Sequence, residues 1–117
     1  MRNFKELKIW QKCFDIAVKS FKLTASFPKE EKFSICLQIT RAAVSIPSNI
    51  AEGSSRSSAK DYHRFIEISL GSAYELETQL LISKTAGFGA QSGTENLLLD
   101  IIEEQKMLIG FSNTLNK

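Results

Sequence analysis

Histidine, cysteine and paired carboxylates are the residues that most often do chemistry, and this sequence holds few of them. His63 is the single histidine, in the run Asp61-Tyr62-His63-Arg64. No nucleophile is placed for it. A Gly-x-Ser-x-Gly elbow is missing, and neither Cys13 nor Cys36 is paired with a histidine by spacing. Glu67 and Glu75 would stand about 12 Å apart along one helix, beyond the ~5–9.5 Å of a glycosidase carboxylate pair. One histidine and no Cys-x-x-Cys argue against zinc, and the Glu-x-x-His motif of a di-iron bundle is missing. Residues 86–93 are glycine-rich but lack the lysine of a phosphate loop. The expectation is a protein that is not an enzyme, with no metal, no cofactor and two buried thiols.

Cationic and polar chemistry remains. Lys5, Lys8 and Lys12, with Arg56, Lys60 and Arg64 near the junction of the second and third helices, are candidates for contact with the phosphates of RNA or DNA. Ordinary solvated charge is the rival reading. Arg41, Asn49, Glu52, Glu67 and Glu75 belong to polar ribbons on the second and third helices. A structural seam is expected there, with Arg41 facing carboxylates across the helices, because a guanidinium fork suits them. Residues 1–64 hold twelve Lys/Arg and six Asp/Glu, a net of +6; residues 65–117 hold three and seven, a net of −4. That polarity suits either nucleic-acid contact by the first half or head-to-tail association of unlike surfaces.

Four amphipathic segments must position these groups. With 117 residues the chain makes a single domain, 1–117, and only two prolines and six glycines favour long helices. The first helix is predicted over 4–24, with Leu7, Trp10, Phe14, Ala17, Val18 and Phe21 facing the core and Trp10 and Phe14 anchoring it. A second stripe, Ile9, Cys13 and Ile16, is either the shoulder of that face or a subunit contact. The second helix is predicted from 29, with Pro28 at its start, to 51 or 53. Its polar ribbon lies between two apolar surfaces: Ile39, Ala42, Ala43, Ile46 and Ile50 on one side, Leu37, Val44 and Ala51 on the other. Pro47 should kink it.

The third helix is predicted over 59–85, opened by Ser58 and Asp61 as a capping box. Tyr62, Phe65, Ile66, Ser69, Ala73, Leu76 and Leu80 make its core face; Leu70, Tyr74 and Leu81 widen it. Gly71 marks either a close helix approach or a tolerated cost of about 1 kcal/mol. A capping box at 92–95 opens the fourth helix, predicted to run to 114. One of its faces carries Leu97, Ile101, Leu108, Phe111 and Leu115, the other Leu98, Ile102 and Ile109. The fold class is all-α, an antiparallel up-down-up-down four-helix bundle. Every helix has more apolar surface than one bundle hides, so copies should associate. No stretch suits a signal peptide or a membrane span, so a cytoplasmic location is expected.

The segment FPKEEKFSICLQITRAAVSIPSNIAEGSSR, continued by KDYHRFIEISLGSAYELETQLLISK, resembles the signature of the bacterial 23S-rRNA intervening-sequence proteins. The likeness runs from Phe4-x-x-Leu7-x-x-Trp10 to the fourth helix. It implies a four-helix bundle, a homopentameric ring and no catalytic residues. The family is similar to accessory proteins of diversity-generating retroelements, which bind nucleic acid and a reverse transcriptase through basic surfaces. Either nucleic acid or such a protein partner is therefore implied, the second making the ring an adaptor without a nucleic-acid role. Thr40 stands where a basic residue is common, which weakens the second helix as a phosphate binder.

Overall fold

The protein is described by a computed structural model covering residues 3–115. A single 3-10 turn, Phe4–Glu6, leads into α1 (Lys8–Thr24), followed by α2 (Ile35–Ser54), α3 (Ala59–Ala86) and α4 (Gln91–Leu115). Each helix packs on the helix next to it in sequence, and α1 closes the bundle against α4. The register of the contacts makes every pair antiparallel. Ser45 and Ser72 meet between α2 and α3 at 2.9 Å, and Ser69 donates to Ile46 O at 2.9 Å. Between α3 and α4, Gln105 donates to Glu77 at 2.8 Å and Lys84 faces Glu95 at 3.7 Å. Between α1 and α4, Lys12 faces Glu103 at 3.5 Å. The up-down-up-down bundle is thus the observed fold, 44 Å long and about half as wide.

Local chemistry accounts for the helix ends. Ser58 Oγ accepts from Asp61 N at 3.1 Å, the expected cap of α3. Gly87 ends that helix at φ 79°, a left-handed stop that glycine takes without a Cβ clash. Three expected boundaries differ, the first being that of α1, which starts at Lys8 behind the 3-10 turn and not at 4. Residues 29–31 form only a 3-10 turn, and α2 starts at Ile35. The break fits Ser34, whose backbone leaves the helical region at φ −114°, ψ −105°. The 92–95 capping box is not used, because α4 already starts at Gln91, where Ser26 Oγ accepts from Ala90 N at 3.1 Å. Helix α2 continues through Pro47 without interruption, so no kink is shown. No helix among the described residues is long and apolar enough to cross a membrane.

The core faces of α2, α3 and α4 lie largely where periodicity put them; Ile39, Ala43, Ile46, Ile50, Ile66, Ala73, Leu76, Leu80 and Ile101 are all sealed from solvent. Helix α1 is rotated from the expected face: Ala17 is buried and Leu7 and Trp10 pack against the core, but Phe14, Val18 and Phe21 are exposed. Ile9, Cys13, Ile16, Ser20 and Leu23 face inward, while Phe14 is 50% and Phe21 56% exposed. On α4, Asp100 and Glu103 face Lys12 and Lys19, with Asp100 3.6 Å from Lys12 and 3.3 Å from Lys19. The aromatic stripe lies outward beside Val44 and Pro47 of α2.

Gly71 is exposed, and a Cβ built on it meets nothing within 4 Å, so it marks no close approach. Gly71→Ala is therefore expected to stabilise the chain by about 1 kcal/mol, read as a raised urea midpoint at constant m.

Candidate nucleic-acid interface

Antiparallel topology decides which charges share an end. The start of α1, the end of α2, the start of α3 and the end of α4 lie together. Lys5, Lys8, Arg56, Lys60 and Arg64 therefore gather at one end of the bundle, joined by Lys106. The acids there are Glu6, Glu52, Asp61 and Glu67, so the six cations outnumber them. Local packing shapes the cationic groups. The Arg56 and Arg64 guanidiniums lie 4.7 and 4.9 Å from the Phe65 ring centre. Phe65 is buried, so its ring is a fixed platform that restricts both guanidiniums. Arg56 also pairs with Glu52 at 3.2 Å. Lys8 and Lys60 are exposed, with no ion pair among the described residues.

Lys12 departs from the expected set. It is partly buried and held between Asp100 at 3.6 Å and Glu103 at 3.5 Å, so its charge is already answered. Two carboxylates, Asp15 and Asp100, likewise raise the pKa of Lys19.

The expected cross-helix seam does not form within the chain. Arg41 is exposed, with no ion pair among the described residues, and Glu75 is exposed as well. Glu52 and Glu67 pair within their own helices, with Arg56 and with His63 at 3.3 Å. Asn49 donates to Ser45 O at 2.8 Å. The polar contacts between α2 and α3 come instead from short hydroxyls, Ser45, Ser69 and Ser72.

Periodicity passed over one buried acid. Glu104 is 0% exposed and its two carboxyl oxygens have no hydrogen-bond partner. Burial pushes its carboxyl up to about 8, against the opposing pull of Cys13 and Lys12. The Cys13 thiol points at Trp10 O, 3.4 Å away, and is itself raised by burial and by Glu104, so it is an inert thiol. A signal was present. Leu97, Ile101, Leu108 and Phe111 leave a helical gap on their face, and residue 104 fills it.

Among the described residues no group of three or more His, Cys, Asp or Glu is arranged to hold a metal. The arrangement is that of an all-α bundle with a basic end. The family model of the 23S rRNA-intervening sequence proteins matches residues 5–110, and the chain belongs to that family. It is similar to a crystal structure of a protein of unknown function from the S23 ribosomal protein family of Bacteroides thetaiotaomicron. The two share 25% identity and a TM-score of 0.80 over 89% of this chain and 97% of that one. No curated protein matches the chain.

Proposed function

We propose that the chain works as a non-enzymatic homo-oligomer, a ring of five by its family resemblance, that binds RNA or DNA through its basic end without reading sequence. The observation that carries this reading is the convergence of Lys5, Lys8, Arg56, Lys60 and Arg64 on one end by the topology alone. A single such end offers few phosphate contacts, and repetition around an assembly multiplies them. Large apolar side chains left at the surface, Phe14, Phe21, Tyr74 and Leu81 among them, favour assembly.

The test is a titration of labelled RNA at several salt concentrations. Affinity should fall steeply with salt. The double variant Lys60→Ala/Arg64→Ala should flatten the log–log slope by about 1.4 per bound chain, at ~0.7 per phosphate contact on a single strand. Lys12→Ala should leave the slope unchanged, because Asp100 and Glu103 already engage that ammonium. Binding absent at low salt, or indifferent to salt, overturns the reading. Capture of a protein partner that survives nuclease would then point to an adaptor.

A further inference from the structure

We propose that the basic end takes nucleic acid whose bases are unpaired, a single strand in preference to a duplex, with a base stacked on the outer face of the Arg64 guanidinium. The inference deepens the nucleic-acid reading proposed above and rests on it. Arg56 lies in the connection just past α2, and Arg64 lies in the second turn of α3. Both guanidiniums lie over one ring, that of Phe65, at 4.7 and 4.9 Å from its centre. Phe65 is only 7% exposed, and its Cβ is so near α2 that a Cβ on Gly53 would stand 2.7 Å from it. The ring is therefore fixed, and the cations on it are held in place before any ligand arrives. Arg56 is tied further by Glu52 at 3.2 Å, through an N–H at the rim of its plane. Arg64 is exposed and has no ion pair among the described residues.

A guanidinium is a flat group with donors at its rim and two faces. On Arg64 one face is laid over Phe65. The rim and the other face remain at the surface. The rim suits a phosphate. The face suits a nucleobase, which stacks on arginine planes as it does on aromatic rings. Every base has such a face, so stacking reads no sequence, in keeping with the function proposed. Within a duplex each base is covered above and below by its neighbours, and only phosphates and groove edges are offered. Charge by itself favours the opposite choice. A duplex carries more phosphate charge per length than a single strand, so an end built of point charges binds duplex at least as tightly. Lys8 and Lys60, exposed ammoniums without a plane, are of that kind. The arginine pair on Phe65 is what turns the preference toward unpaired bases.

The test measures the affinity of the full chain for a labelled single strand and for the duplex of the same sequence, at equal phosphate concentration and one salt concentration. The single strand should bind about tenfold tighter, the value of one modest base stack. RNA and DNA strands should both show this, since both present base faces; a preference confined to one sugar overturns the stack. Arg56→Lys/Arg64→Lys keeps both charges and removes both planes. It should lose that tenfold on the single strand, with duplex affinity, salt slope and urea midpoint unchanged. Equal loss on both ligands means that the arginines act on phosphates alone, and overturns the proposal. A second measurement needs no variant. An abasic strand of the same length keeps the phosphates and offers no base. The parent chain should bind it about tenfold more weakly than the intact strand; equal binding also overturns the proposal. Duplex bound as tightly as the single strand, with affinity still falling with salt, rejects this inference and leaves nucleic-acid binding standing. No binding of either at low salt rejects the function, and this inference with it.

Discussion

A Glu104→Gln chain is expected to keep its stability as pH rises from about 5 to about 8, an interval over which the parent chain loses about 3 kcal/mol. The folded chain holds this carboxyl protonated up to about 8, whereas its ordinary value is 4.5. Between those values the folded state binds a proton that the unfolded state has released. Stability therefore falls as pH rises, and the fall levels off above about 8, once the folded state has also released the proton. The carboxyl is sealed from solvent, only the weak donor of the Cys13 thiol acts on it, and Lys12, the cation that acts on it, is shared by Asp100 and Glu103. An ionised Glu104 thus has little to offset its desolvation. The amide keeps the shape and cannot ionise, so the contrast is in the slope of stability against pH. Urea unfolding of both chains across that range measures it; parallel curves would remove Glu104 from the account. Cys13 adds nothing in this window, because its thiol is raised far above it.

What the sequence made legible follows from which forces act locally. Helix existence, the Ser58 cap and the inward faces of α2 and α3 depend on neighbours within a turn or two, and periodicity captures them. The orientation of α1 does not. Its two apolar stripes compete, and side-chain size favours Trp10, Phe14 and Phe21. The choice is settled by packing with helices far along the chain, where Ile9, Cys13 and Ile16 join the common core and Lys12 and Lys19 face Asp100 and Glu103 on α4. The basic end shows the same limit. Its residues were named from composition, but only the topology joins Lys5 and Lys8 to Arg56, Lys60 and Arg64, and only long-range pairing withdraws Lys12 from them. Arg41 was assigned a partner by chemical type but lies exposed on α2; the closeness of α2 and α3, marked by Ser45, Ser69 and Ser72 and by Gly53 against Phe65, comes from packing.

That closeness points to the residue whose change should cost the fold most within this helix pair. A Cβ built on Gly53 would stand 2.7 Å from Phe65 Cβ and 3.1 Å from Tyr62 Cδ1. Phe65 Cβ is fixed to its backbone and cannot swing aside, so α2 and α3 must part. Gly53→Val is expected to destabilise the chain by about 3 kcal/mol, the upper end of over-packing, even after the small gain in helix propensity. The effect should reach the basic end. Phe65 is the ring against which Arg56 and Arg64 lie, and Tyr62 packs edge-on against Phe111 of α4, 5.6 Å between ring centres. Displacing the platform frees both guanidiniums, so RNA affinity should drop at low salt although no charge has been removed. Gly71→Ala, in the open face of α3, should act in the opposite direction on stability and leave binding alone. Urea midpoints and RNA titrations of the two variants side by side separate the cases. Equal stability changes would mean that the contact between α2 and Phe65 is not what holds these helices together.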